Sequence, residues 1–189
     1  MRVAVVIPVK SFGLAKGRLA GALNPSEREA LSRDCAERVV ASASPWPVLI
    51  VCDDENVAEW ARSVGAQPVD CRTPGLDAAV DAGRRAASAN GATHVVIAHA
   101  DLPLANSLSH VPRKGRVTIV PDRHRDGTNI LSMPVDCPMH TAYGPGSFDN
   151  HVALARTAGF ECDIIDDPDL ALDLDTVDDL AELDRRTTS

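Results

Sequence analysis

The chain has 189 residues and a net charge of −8, from 19 Lys+Arg against 27 Asp+Glu. That length supplies one sizeable core and not two, and the acid excess argues against a general polyanion binder, whose affinity for duplex or membrane surface rests on summed positive charge. Six aromatic residues (Phe 3, Trp 2, Tyr 1) are too few for a single-strand stacking platform, while 44% hydrophobic and 24% charged residues describe a globular chain rather than a disordered one. Neither a nucleic-acid nor a membrane partner is expected.

Residues 3–9 form a continuous β-branched apolar run, the pattern of a strand covered on both faces. One preceding arginine and no small-residue cleavage site make it a strand rather than a secretion signal. No segment approaches the roughly 18 consecutive apolar residues of a membrane helix. The loop 10–18 carries Gly13, Gly17 and three cations, Lys10, Lys16 and Arg18. Asn24-Pro25-Ser26-Glu27 then opens a helix, with a cap, a proline suited to the first helical position and a glutamate that closes a capping box. Leu31, Cys35 and Val39 lie four apart on its inner face.

Residues 48–52 read as a second strand ending in Asp53-Asp54, followed by a helix over 55–64 that Gly65 stops. A short third strand spans 67–70 and an alanine-rich helix 75–89. The fourth strand, 95–98, runs into Asp101-Leu102-Pro103, and the fifth covers 116–120. From 121 to 146 the chain is polar apart from a short apolar patch at 130–133, and a loop of that length is usually functional. A helix over 147–158, a strand over 162–165 and a helix over 176–186 complete the series. The five cysteines (35, 52, 71, 137, 162) are scattered, with no C-x-x-C pair, and read as small buried hydrophobes of a reducing cytoplasm.

This alternation predicts one α/β domain over 1–189, with a functional insertion at about 121–147. The sheet is expected to be mostly parallel and doubly wound, flanked by helices, and mixed in its second half. Ligands of such sheets bind outside the carboxyl ends of the strands, which gathers Lys10, Asp53 and Asp101 on one edge.

Each chemical candidate has a plainer alternative. The glycine and cation loop 10–18 suits an anion; it lacks the G-x-x-x-x-G-K-[ST] pattern and could be a solvated turn, but its place after the first strand favours phosphate. Asp101, at a strand end beside Pro103, is a good magnesium ligand or else a cap. In the segment Asp173-Leu174-Asp175-Thr176, Thr176 or Asp175 can cap the last helix, with Asp178 and Asp179 in its first turn. Asp173 and Asp175 also share one side of an extended segment, so one of them could join Asp101 on a metal. Gly144-Pro145-Gly146-Ser147 before a helix offers free N–H groups and a hydroxyl to an anion, or simply a helix entry. His124, His140 and His151 lack zinc-site spacing, and no G-x-S-x-G elbow is present.

Taken in order, the segments Ile7-Pro8-Val9-Lys10, Ala15-Lys16-Gly17-Arg18-Leu19, Asp53-Asp54, Gly75-Leu76-Asp77-Ala78-Ala79, Ala100-Asp101-Leu102-Pro103, Pro121-Asp122-Arg123, Gly127-Thr128-Asn129, Gly144-Pro145-Gly146-Ser147-Phe148 and Asp173-Leu174-Asp175-Thr176 resemble the 2-phospho-L-lactate and phosphoenolpyruvate guanylyltransferases of coenzyme F420 biosynthesis. The resemblance runs from Val3 to about Leu183. It implies a nucleotidyltransferase sheet of the glycosyltransferase-A type and transfer of GMP from GTP to a small phosphorylated carboxylic acid, releasing pyrophosphate. It further implies that Lys10, Lys16, Arg18, Gly75 and Asp77 bind GTP, with Lys16, Arg18 and Asp101 catalytic. Asp101 and Asp175 would hold Mg2+, and Thr128, Gly144 and Ser147 would hold the acceptor.

Several positions depart from the family pattern. His99 stands where proline is common, Arg125-Asp126 replaces Gly-Thr, and Asn150 lies where a basic residue is frequent. Asp77 stands where asparagine is usual and could accept from guanine N1–H and N2–H. The other readings to separate are a nucleotidyltransferase for a molybdopterin cofactor or sugar phosphate, a sugar transferase on the same sheet, and a silent binding module. The sequence leaves oligomeric state open, a homodimer included.

Overall fold

The computed structural model describes residues 1–14 and 16–188; Ala15 of the opening-loop motif lies outside them. Seven strands, β1 (Val3–Pro8), β2 (Val48–Cys52), β3 (Gln67–Asp70), β4 (His94–Ala98), β5 (Val117–Pro121), β6 (Thr128–Pro134) and β7 (Cys162–Ile164), form one sheet in the order β3-β2-β1-β4-β6-β5-β7. Its helices are α1 (Pro25–Ser42), α2 (Glu55–Ser63), α3 (Leu76–Ala89), α4 (Ser147–Thr157) and α5 (Val177–Thr187). Among the described residues no helix is long and apolar enough to cross a membrane.

Strand alternation sends successive side chains to opposite faces, and β1 shows the result. Val3, Val5 and Ile7 join Ala36 and Val39 of α1 and Val57 and Trp60 of α2 in one core layer. Ala4 and Val6 join Val80 and Ala87 of α3 and Phe148 and Ala155 of α4 in the other. Because α3 lies close on the sheet, a Cβ at Gly83 would overlap Val6 Cγ1 and sit 2.9 Å from Val51 Cγ2. The capping box at Asn24 and Glu27 is present, with Asn24 Oδ1 accepting from Glu27 N and Glu27 Oε2 from Asn24 N.

The second half corrects the sequence reading. The apolar patch at 130–133 belongs to a seven-residue strand, β6, buried along its whole length and running antiparallel to both β4 and β5. Its polar residues disguise it. Asn129 Nδ2 donates to Leu170 O at 3.1 Å, Ser132 Oγ meets His94 Nε2 at 2.9 Å, and Thr128 Oγ1 meets His151 Nδ1 at 3.0 Å. Buried polar groups matched in this way cost little, so a central strand need not be apolar in sequence.

Candidate active site

The chain winds outward from β1 to β2 and β3, then returns to place β4 on the other side of β1. The crevice at this reversal is where sheets of this kind bind ligands. A cleft of about 860 Å³ opens there, lined by Lys10, Lys16, Asp101, Thr128, Ser147 and Asp175 among others. Antiparallel β6 brings its first residues to the same edge: His99 N donates to Asn129 O at 3.0 Å. Thr128 therefore arrives beside the carboxyl end of β4 from the opposite chain direction.

Three carboxylates meet in the cleft. Asp101, Asp173 and Asp175 each offer an oxygen within 4.8 Å of the others. One backbone bond sets the register, Leu174 N donating to Asp101 O at 3.1 Å. Leu172 and Leu174 are buried, so the alternating Asp173 and Asp175 turn to the cleft. Both aspartates of the late segment thus join Asp101, where the sequence could only offer one or the other. Burial, then the charges of Asp101 and Asp175, push Asp173 up to about 7.

Lys16 is the counter-charge. Its Nζ lies 2.6 Å from Asp101 Oδ2 and 3.5 Å from Asp175 Oδ1. Burial alone would lower its pKa, but the two carboxylates hold it above the ordinary lysine value. Burial likewise opposes ionisation of Asp101, and the Lys16 ammonium more than offsets it, holding the carboxyl below the usual range. Among the described residues, Asp101 Oδ1 is buried without a hydrogen-bond partner. A hard divalent cation suits this set: three carboxylates converge and one buried oxygen lacks a donor.

The loop carrying Lys16 is anchored at both ends. Phe12 packs edge-on against Trp60 at 5.0 Å, and Leu19 is fully buried. Lys10 lines the cleft; Arg18 is 77% exposed at its rim, 3.5 Å from Asp175 Oδ2. Gly75, which precedes α3, also lines the cleft. Asp77, in the first turn of α3, accepts at Oδ1 from the backbone N–H of Tyr143 at 3.1 Å. With Arg84, which donates to Met139 O at 2.9 Å and Cys137 O at 2.7 Å, it ties the segment before α4 to α3.

Thr128, Gly144 and Ser147 all line the cleft. The free N–H groups expected at the start of α4 are not all free. Ser147 N donates to Gly144 O at 3.0 Å, Phe148 N to Asp126 O at 3.1 Å, and Gly146 N to Asp126 Oδ1 at 3.2 Å. Asp126 thus takes part of the role expected of an anionic ligand, leaving the hydroxyl of Ser147 as the distinctive group. Arg125 turns to Asp166 at 2.5 Å and over the Phe148 ring at 5.0 Å, so its charge is engaged. His99 has its Nε2 buried and, among the described residues, without a partner, and burial pushes its pKa down.

Sequence reasoning missed the residues that hold the site in place. Asp122 accepts from the backbone N–H groups of His124, Asp126 and Gly127, at 2.9, 3.0 and 2.8 Å. The contact is so close that a Cβ on Gly127 would lie 2.7 Å from Asp122 Oδ2. Asp179, named only as a helix-start acid, is buried; its Oδ2 accepts from Asp175 N and Thr176 N, and its Oδ1 from Arg123. Burial opposes its ionisation, while bonds from Thr176 and Arg123 hold its carboxyl below the ordinary range. The Thr176-x-x-Asp179 capping box was the signal available for it. Burial pushes the Cys35 thiol up to about 12, in keeping with a packing role.

This sheet carries an acidic cluster and a lysine at its switch point, and its fold recurs in solved structures. The same fold is seen in a nucleotidyl transferase from Methanothermobacter, at 15% identity and a TM-score of 0.67 over 99% of this chain and 98% of that one. It is seen again in a protein of Desulfovibrio desulfuricans G20 described as a nucleotide-diphospho-sugar transferase, at 18% identity and a TM-score of 0.76 over 100% and 89%. Residues 3–185 match the model of the family described as guanylyl transferase CofC like, and the chain belongs to that family. A phosphoenolpyruvate guanylyltransferase of Rubrobacter xylanophilus is 36% identical over 97% of this chain and 94% of its own length. A 2-phospho-L-lactate guanylyltransferase of Methanothermobacter thermautotrophicus is 32% identical over 97% and 84%.

Proposed function

We propose that the protein transfers GMP from GTP to a small phosphorylated carboxylic acid, phosphoenolpyruvate or 2-phospho-L-lactate, in coenzyme F420 biosynthesis. Family membership supports the guanylyl donor and the acceptor class. The observation that carries the reading is the convergence of Asp101, Asp173, Asp175 and Lys16 in a cleft that Thr128 and Ser147 also line.

An oxygen of the acceptor phosphate attacks the α-phosphorus of GTP. The bond from that phosphorus to the bridging oxygen breaks, and pyrophosphate leaves. A phosphate monoester is already largely dianionic near neutrality, its second pKa being about 6, so no side chain need remove a proton. This fits a cleft whose histidine, His99, is depressed by burial. Lys16 neutralises charge on the departing phosphates, and Lys10 and Arg18 draw the triphosphate to the rim. Ser147 and Thr128 orient the acceptor, so that positioning and charge neutralisation supply the acceleration. Asp101, Asp173 and Asp175 would hold Mg2+, which supplies Lewis-acid stabilisation of phosphoryl oxygens when bound.

The test is a matrix of nucleoside triphosphates against phosphoenolpyruvate, 2-phospho-L-lactate, 3-phosphoglycerate and a sugar phosphate, with pyrophosphate detection and mass spectrometry of the product. A guanylylated phosphoacid is expected. Release of a nucleoside diphosphate would assign a sugar transferase, and GTP binding without turnover a binding module.

A further inference from the structure

His151 lies behind the acceptor wall, fully buried on α4. Both its ring nitrogens are engaged. The backbone N–H of Ala142 reaches Nε2 at 3.0 Å, and Thr128 Oγ1 lies 3.0 Å from Nδ1. A backbone N–H can only donate, so Nε2 must be the unprotonated acceptor. In a neutral imidazole the proton is then on Nδ1, and that N–H donates to Thr128 Oγ1. Burial keeps the ring neutral, pushing its pKa down to about 4. Tyr143 closes the other side edge-on, with ring centroids 4.8 Å apart, and restrains the imidazole plane.

The consequence falls on Thr128. Its hydroxyl accepts from the imidazole, so its own proton cannot point back along that contact. Thr128 is buried yet lines the cleft, and among the described residues the hydroxyl has no other partner. Accepting from the imidazole uses one of the two lone pairs of Thr128 Oγ1 and leaves the hydroxyl proton for the cleft. We infer that His151 is a positioning residue that turns the Thr128 hydroxyl toward donating into the cleft, so that this point of the acceptor site favours an acceptor oxygen, as an anion supplies. The inference rests on the acceptor assignment of Thr128 made above and adds the polarity of the contact and the residue that sets it.

Two measurements decide it. A long-range proton–nitrogen correlation spectrum of the ligand-free protein reports the tautomer of His151; an Nδ1–H signature is expected, and an Nε2–H signature overturns the inference whatever the acceptor proves to be. Steady-state kinetics then take Thr128→Val, His151→Leu, their double variant and His151→Asn. Phosphoenolpyruvate is varied at saturating GTP, and GTP at saturating phosphoenolpyruvate. Thr128→Val and His151→Leu should each raise the phosphoenolpyruvate KM by about tenfold, with the GTP KM within about twofold of wild type. The double variant should be little worse than Thr128→Val, because both changes remove one contact. His151→Asn, whose amide N–H can replace the Nδ1 donor, should recover most of the loss. Independent, multiplying effects, or equal damage to both KM values, would make His151 a packing residue only. A silent Thr128→Val would remove Thr128 from the acceptor site and the inference with it. If no phosphoacid reacts, the proposed function fails by itself, and the ring spectrum still decides the tautomer.

Discussion

Mild acid should destabilise this protein through the imidazole buried between β4 and β6. His94 is 1% exposed, and its Nε2 lies 2.9 Å from Ser132 Oγ. Burial holds its pKa at about 4, against an ordinary value of 6.5. As pH falls the unfolded chain takes up the proton first. The stability contributed by the neutral ring is thus complete above 6.5 and drains away between 6.5 and about 4. At ~pH 5 the loss is about 2 kcal/mol, approaching roughly 3 kcal/mol at the acid end of the window. His151, likewise depressed to about 4, adds a term of the same sign. Asp173 works in the opposite direction, because a carboxyl raised to about 7 binds its proton more readily in the folded state. Total stability against pH therefore mixes signs, and the informative quantity is a difference between two proteins. His94→Gln keeps an amide near Ser132 and cannot titrate. Urea unfolding of wild type and variant at ~pH 7.5 and ~pH 5 should show the variant gaining about 2 kcal/mol relative to wild type on acidification. A difference that stays constant between the two pH values would refute the account of His94 as a neutral buried ring.

Asp101→Asn should lower pyrophosphate release by about a hundredfold or more, with the thermal midpoint little changed; near-normal turnover in Mg2+ would remove Asp101 from the metal site. Ser147→Ala should mainly raise the acceptor KM, by about tenfold, and an effect confined to GTP would put Ser147 in the wrong pocket. Asp179→Ala leaves the backbone N–H groups of Asp175 and Thr176 without their acceptor. It should cost roughly 1–3 kcal/mol in chemical denaturation and weaken calorimetrically measured Mg2+ binding, whereas unchanged Mg2+ affinity would mean that Asp175 is held by other contacts. Gly83→Ala drives a methyl into Val6 and Val51; overpacking of about 1–3 kcal/mol outweighs a helix-propensity gain of about 1 kcal/mol, and a stabilised variant would show that α3 shifts freely.

Elements with local signals were legible in the chain. Val48–Cys52 and Gln67–Asp70 coincide with the expected strands, because apolar runs bounded by turn residues carry their own punctuation. The helix opening at Asn24 was legible for the same reason, its cap lying within three residues of its partner. β6 was not legible, since its burial depends on His94, His151 and the Leu170 carbonyl, each far away in sequence. Lys16, Asp101, Thr128, Ser147 and Asp175, singled out in the sequence, all line one cleft. What could not be read was that Asp173 lies with Asp175 beside Asp101, that Asp126 takes N–H groups at the α4 N-terminus, and that Asp77 accepts from the Tyr143 N–H.

The amino-acid order alone determined an α/β sheet with ligand groups at its strand ends, because periodicity, caps and breakers act over a few residues. Only the tertiary structure decided which carboxylates converge, which N–H groups are already taken and which ring nitrogen the Thr128 hydroxyl meets. Those properties depend on distances of about 3 Å between segments tens of residues apart, and hydrogen bonding at that range leaves no periodic trace in a sequence.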